Sequence, residues 1–304
     1  VQYDNQFNIF DKTHKMSFGT SYDQAKTYFR SQGFLGTLTN DRTVTPLFLS
    51  DGTPLELVAE QEHDGAGNDP EDKERGDVGP AEVTGKLNVY GIYASDNFQY
   101  NDKLILNNGL RANLAFVELI DNFTTPTYTR TAFINGDHRY FRVNPSLGFV
   151  YNYTNEIAVL ANYREANRAP SPVELSCADP AAPCRLPNAF VADPPLEQVV
   201  TRGAELGIRS NLNTQNYNIG IDAIGHFSQN SEDILFVSSG TGLSSGYFKN
   251  FGKTNRLGFD LSLKATKNKK KGFQTSTINY SYLKATFQSA HTLPAANHPN
   301  GSND

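Results

Sequence analysis

The 304-residue chain carries 38% apolar and 19% charged side chains, no Trp, one Met, two Cys and a net charge of −5. Counting Gly in place of Tyr among the apolar residues gives about 41%, below the roughly 45–50% of soluble globular domains, so a conventional large core is poorly supplied. The 15 Tyr and 20 Phe are too many for disorder, no apolar run exceeds the five residues Ile157 to Ala161, and the acidic balance recommends no nucleic-acid partner.

The periodicity along the chain is two. Ten strands are predicted near 1–9, 14–29, 82–100, 103–119, 139–153, 156–168, 197–210, 216–230, 245–266 and 272–288. Leu104, Leu106, Leu110, Ala112, Leu114 and Phe116 form an apolar file with Arg111 and Asn113 on the other face. Val143, Leu147, Phe149, Tyr151 and Tyr153 continue it, followed by Ile157, Val159, Ala161 and Tyr163. The pattern returns in Tyr217, Ile219, Ile221 and Ala223, and in Leu257, Phe259, Leu261, Leu263 and Ala265.

The connections alternate in length. Residues 11–15, 99–103, 154–155, 211–215 and 267–271 are short turns, whereas 30–81, 120–138, 169–196, 231–244 and 289 onward are long. One smooth rim and one elaborated rim follow. A spanning sheet in lipid must satisfy its backbone internally, and outer-membrane barrels have short periplasmic turns and long outer loops. The expected fold class is all-β, an antiparallel transmembrane β-barrel section. A soluble sandwich also alternates, but its strands average about 5–6 residues, far shorter than these.

Two charge clusters punctuate the loops. Glu60, Glu62, Asp64, Asp69, Glu71, Asp72, Glu74 and Asp77 face only Lys73 and Arg75 within 60–77, which reads as a solvated loop tip, with a divalent-cation or cationic-ligand role as the alternative. Lys267, Lys269, Lys270 and Lys271 read as a solvated turn, with contact to acidic lipid or a periplasmic partner as the alternative.

The segment 163–209 carries a resemblance. Asn167-Arg168-Ala169-Pro170, then Ser171-Pro172-Val173-Glu174-Leu175, Cys177 and Cys184, Ala192-Asp193-Pro194-Pro195-Leu196 and the strand with Glu205 resemble the barrel of TonB-dependent outer-membrane receptors. The nearest likeness is to the iron-transport branch of ferric citrate-type receptors. Gly246-Tyr247-Phe248-Lys249-Asn250-Phe251-Gly252 and Tyr280-Ser281-Tyr282-Leu283-Lys284-Ala285-Thr286-Phe287 agree with it. The resemblance implies a plugged barrel of about 22 strands, an outer-membrane location, and transport of a ferric siderophore or other iron chelate energised by TonB through a plug. Residues 1–304 are then expected to be a partial barrel without the plug, and neither end reads as a natural terminus. In that frame 30–81 and 169–196 are extracellular loops.

If the long connections face outward, Cys177 and Cys184 lie in one oxidising loop, where a disulfide would restrain a Pro-rich segment that has no sheet to hold it. The zinc alternative needs about four ligands, and no His or further Cys lies near in sequence. Apolar strand positions are expected to face lipid. Arg111, Asn113, Asn162, Arg164, Glu205, Arg209, Asp222, His226, Arg256, Asp260 and Lys264 are expected to face the lumen, mostly in salt bridges and plug contacts. Arg164 and Arg168, with Tyr140 and Arg142, are the candidate contacts to an anionic chelate.

No cofactor is expected. The six His are scattered and no hydrolase or phosphate-loop signature is present, so the chain does not read as an enzyme. His226 and Asp222 share a strand face four residues apart, over about 13 Å, too far to hold one ligand. A complete ten-stranded outer-membrane barrel enzyme of the protease type and a passive diffusion porin are the competing readings.

Overall fold

Alternation becomes a wall when neighbouring strands pair along their whole length. The computed structural model describes residues 1–9, 12–31, 35–52, 54, 81–122, 135–178, 184–185, 195–238, 245–269 and 272–289. In chain order the strands are β1 (Gln2–Ile9), β2 (Lys12–Ser31), β3 (Gly36–Leu38), β4 (Val44–Pro46), β5 (Ala81–Gln99), β6 (Leu104–Asp121), β7 (Gly136–Asn152) and β8 (Ile157–Arg168). A short helix, α1 (Pro172–Leu175), follows. The remaining strands are β9 (Cys184–Arg185), β10 (Val199–Asn213), β11 (Tyr217–Ser231), β12 (Ile234–Ser238), β13 (Ser245–Asn250), β14 (Thr254–Lys269) and β15 (Gly272–Phe287).

Ten of these strands form one antiparallel sheet in the order β1-β2-β5-β6-β7-β8-β10-β11-β14-β15. It is an up-and-down meander whose outermost strands, β1 and β15, lie at opposite edges and do not pair with each other. A complete ten-stranded barrel would need that pairing, so these strands do not close by themselves.

The two faces separate as the alternation predicts. Tyr22, Tyr90, Leu114 and Phe141 lie opposite one another across β2, β5, β6 and β7, and His14, Phe98, Leu106 and Phe149 form a parallel row nearer the short turns. Tyr22 packs against Tyr90 with centroids 4.9 Å apart and the rings tilted by 34°, and His14 stacks on Phe98 at 4.4 Å. The rows are eight residues apart, about 26 Å along a strand. With strands tilted by about 40°, and with the girdle side chains themselves added, that matches an apolar band of roughly 25 Å.

The opposite face carries every polar wall position expected there. Asn113 lies opposite Arg142, Arg111 opposite Asn144, Arg209 opposite Asp222 and Glu205 opposite both Asn162 and His226. Near the long-loop rim the polar face turns apolar, a departure from simple alternation. Val83, Val117, Leu119 and Val199 of the wall are buried there with Leu175, Cys177, Ala178, Leu196 and Ile234 from the connections. The loops fold back onto the wall because that end of it offers apolar surface to cover.

Two expectations need correction. The predicted strand 245–266 is two strands: Gly252 has φ +81°, a conformation in which glycine carries no side-chain penalty, and it breaks the run between β13 and β14. β13 leaves the wall and joins β12 and β9 in a three-stranded sheet. The Pro-rich segment 169–196 therefore does have a sheet, through Cys184 and Arg185 paired with Gly246 and Ser245. It also has a helix, because Ser171 and Glu174 form a capping box around Pro172. The acidic cluster at 60–77 and Lys270 and Lys271 lie outside the described residues.

The docking of α1 needs Gly85, where a Cβ would stand 2.3 Å from the Pro172 Cβ. Gly85→Val is expected to lift α1 off the wall while leaving the wall folded. Limited proteolysis should then cut within 169–196 faster than in the parent receptor, with the heat-modifiable electrophoretic shift of the barrel retained.

Candidate functional site

β7 and β8 pair only from Asn152 opposite Ala158 to Ser146 opposite Arg164. Both strands continue, β7 to Gly136 and β8 to Arg168. Pairing stops beside Pro145, which has no N–H to donate to a ladder. Above that point, toward the long-loop rim, side chains bridge the seam in place of backbone.

Gln198 Nε2 donates to the Phe141 carbonyl at 3.1 Å, and the Tyr140 hydroxyl donates to the Leu196 carbonyl at 2.9 Å. The Arg142 guanidinium ion-pairs with Glu165, which is only 14% exposed. Asn167 Oδ1 accepts from Asn144 Nδ2 at 2.7 Å and from Asn113 Nδ2 at 2.9 Å, while its own amide donates to Gln198 Oε1 at 2.9 Å. Glu165 also accepts from the Tyr163 hydroxyl at 2.7 Å and from Arg202 Nε at 3.3 Å.

A pocket of about 460 Å³ opens beside this network, lined by Arg111, Asn113, Asn144, Ser146, Arg164 and Asn167 among others. Two polar atoms here are left over. Arg142 Nε and Asn144 Oδ1 are buried without a hydrogen-bond partner among the described residues. An unpaired buried donor and an unpaired buried acceptor each cost about 1–3 kcal/mol unless something binds them. Asn144 lines the pocket together with exposed Arg164, a pairing of acceptor and guanidinium able to hold an anionic or polyhydroxylic group.

The four residues expected to touch ligand divide between two tasks. Arg142 and Arg164 stand at the seam, Arg164 paired with Glu205 and 67% exposed. Tyr140 and Arg168 hold the loops instead. Arg168 donates to Glu174 through Nη1 at 2.7 Å and Nη2 at 3.0 Å, tying the end of β8 to the capping box of α1. His226 lies 4.0 Å from Asp260 while Asp222 bonds Arg209 at 2.6 Å, so the two have separate partners. Arg256 is 4.0 Å from Asp233. Lys267 Nζ sits over the Tyr217 ring, 5.3 Å from its centroid.

Glu165, Asn144, Asn167, Gln198 and Arg202 escaped the sequence reading. Glu165 and Asn167 fall on the apolar file of β8 by alternation, and only the opened seam lets them reach across to β7 and β6. Pro145 inside an otherwise clean strand was the available signal.

An unclosed antiparallel wall with an apolar belt, aromatic girdles, a polar opposite face and loops folded over one rim defines a section of an outer-membrane barrel. The chain belongs to the TonB dependent receptor-like, beta-barrel family, whose model matches residues 1–303. Members of this family reside in the outer membrane of Gram-negative bacteria. A sequence search of curated proteins finds no match.

Solved structures share the fold at low identity. The siderophore receptor PiuA from Acinetobacter baumannii is 14% identical with a TM-score of 0.56, over 100% of this chain and 39% of that one. The alcaligin outer-membrane receptor FauA from Bordetella pertussis is 11% identical with a TM-score of 0.52, over 93% of this chain and 38% of that one. The outer-membrane transporter YddB from Escherichia coli is 12% identical with a TM-score of 0.52, over 93% and 32%. The chain thus spans less than two fifths of the length of each of these proteins.

The capping box supplies a pH test. Burial pushes the Glu174 carboxyl up, but hydrogen bonds from Arg168 and from the Ser171 backbone N–H outweigh it and hold the group below its ordinary value. A depressed carboxylate stabilises the docked loop fully above its unfolded pKa, about 4.3, and loses that contribution as pH falls through the lower folded value. Hydrogen-exchange protection across 168–178, taken relative to the intrinsic rate at each pH, is expected to fall below pH ~4 in the parent protein. Glu174→Gln should be less protected at neutral pH, with protection nearly flat through the same range.

Proposed function

We propose that this chain is part of the barrel of a TonB-dependent receptor that imports a ferric siderophore or similar iron chelate across the outer membrane. Family membership over residues 1–303 and an unclosed wall with an equipped polar face support that reading. The observation that carries it furthest is the seam, where Arg142 Nε and Asn144 Oδ1 are buried without a hydrogen-bond partner among the described residues and Asn144 lines a pocket on that face. An anionic chelate would be steered by the guanidinium groups and bound by charge-assisted contacts. The likeness to ferric citrate-type receptors rests on segment 163–209, with which 246–252 and 280–287 agree.

In this reading the long-loop rim is extracellular, and a plug domain outside these residues engages TonB. Arg142 and Arg164 contact ligand, while Tyr140 and Arg168 set the loops that border it. Cys177 and Cys184 form a disulfide within the outer loop. Support for that pairing comes from Cys177 Sγ lying 3.9 Å from the carbonyl oxygen of Gly246, the register partner of Cys184, and from the absence of any free cysteine among the described residues.

Binding of ⁵⁵Fe-labelled chelates to cells expressing the intact receptor tests the assignment. Arg142→Ala and Arg164→Ala are each expected to weaken binding of the cognate chelate by about tenfold or more, the worth of one charge-assisted contact. Undiminished affinity in both variants, with normal surface expression, would overturn the ligand role. Ligand-independent ion conductance in a planar bilayer would favour a porin instead.

A further inference from the structure

Two strands leave the wall, and the place where they return is tied to the seam by one side chain. β12 departs after Glu232, whose φ of +53° is uncommon for a residue with a side chain, and β13 rejoins the wall through Gly252. Backbone bonds close the base of this arm. Asp233 N–H donates to the Gly252 carbonyl at 3.1 Å, and Phe251 N–H donates to the Asp233 carbonyl at 2.6 Å. Further along, the arm carries loop 169–196: Phe248 N–H donates to the Cys177 carbonyl at 2.6 Å, and Gly246 lies opposite Cys184.

Asn250, the last residue of β13, uses both donors of its amide. Nδ2 donates to the Glu232 carbonyl at 2.9 Å and to the Glu197 carbonyl at 3.1 Å, while Oδ1 accepts from the Glu197 N–H at 2.9 Å. The first bond holds the residue with left-handed backbone; the other two clasp Glu197 as a strand neighbour would. Glu197 itself stands between two residues of the seam. Leu196 accepts from the Tyr140 hydroxyl, and Gln198 joins the Phe141 carbonyl to Asn167. Asn167 in turn bonds Asn144 and Asn113, and all three line the pocket. The peptide unit between Glu197 and Gln198 is rigid, so a displacement of one is passed to the other.

We infer that Asn250 is a positioning residue for the seam pocket. Through Glu197 it holds Gln198, and hence the Asn167 amide, in the orientation that presents Asn144 and Asn113, and it links docking of the β12–β13 arm to the state of that pocket. Coupling of this kind is reciprocal: a group bound at the pocket tightens the arm by the same factor as the docked arm tightens binding. The coupling itself stands on hydrogen bonds within the described residues. Its consequence for chelate binding rests on the uptake reading proposed above.

Hydrogen exchange of the intact receptor tests the coupling with no ligand present. Asn250→Ala is expected to lower protection about fivefold in the arm, over 246–252, and also across the seam at 139–145 of β7. Thr254→Val removes the 2.7 Å bond from Thr254 Oγ1 to Asp233 at the base of the arm. It should loosen 246–252 and leave 139–145 unchanged, the result a purely local role of Asn250 would also give. Gln198→Ala breaks the path at its other end and should loosen the arm in return. The double variant should lose no more at either segment than the more damaging single one, because both cut one path. Parent-like protection at 139–145 in Asn250→Ala, or additive losses in the double variant, would overturn the inference. If Asn250→Ala loses the heat-modifiable shift of the folded barrel, Gln198→Ala decides, and parent-like protection of its arm overturns the inference. Binding of ⁵⁵Fe-labelled chelates is read separately on the same variants, with about fivefold weaker binding expected in Asn250→Ala through faster dissociation. Absence of binding in the parent counts against the uptake reading and leaves the exchange result standing.

Discussion

Hydrocarbon offers a peptide group nothing to bond with, and that constraint organises the molecule. Each strand in lipid must find its hydrogen bonds on both sides from neighbouring strands. Along most of the wall the demand is met by long ladders, as between β2 and β5 from Thr13 opposite Gln99 to Ser31 opposite Ala81. Where a ladder is interrupted, something else has to stand in. At the β7–β8 seam the substitutes are Gln198, Asn167, Asn144 and the Arg142–Glu165 pair. A local failure of backbone pairing therefore concentrates polar side chains at one place, and the chemistry available to a ligand follows from that structural need.

The same constraint separates the two faces. Since lipid accepts only apolar side chains over the belt, polar positions accumulate on the opposite face, where they neutralise one another in pairs such as Arg164–Glu205 and Arg209–Asp222. Exposed pairs of this kind contribute little to stability, about 0–1 kcal/mol each. Their guanidinium groups remain open to a competing anion. At the long-loop rim the requirement relaxes, and the polar face becomes apolar at Val83, Val117 and Leu119. Loop 169–196 is anchored there, with Leu175 fully buried and Arg168 clamping Glu174. One strand end thus connects seam, capping box and loop.

The reach of sequence reasoning differed between these parts. The period-two files at 104–116, 143–163, 217–223 and 257–265 assign each side chain to a face with no knowledge of partners, because alternation is a property of a single extended chain. Lengths of connections gave the two rims for the same local reason. Gly252 and the Ser171-to-Glu174 box were also legible as local backbone signals, though neither was read as such. The seam was not, because it depends on which strand lies beside β8 and how far their pairing runs.

Sequence by itself determined an all-β membrane wall, the face of the polar residues along the fully paired parts of the strands and the family to which the chain belongs. Those features follow from local period, composition and motif order. Tertiary structure alone decided that Glu165 and Asn167 cross to β7 and β6, that Arg168 serves a helix cap, and that β13 leaves the wall. These depend on register between segments distant in the chain, and a register is fixed only when side chains and ladders are satisfied together.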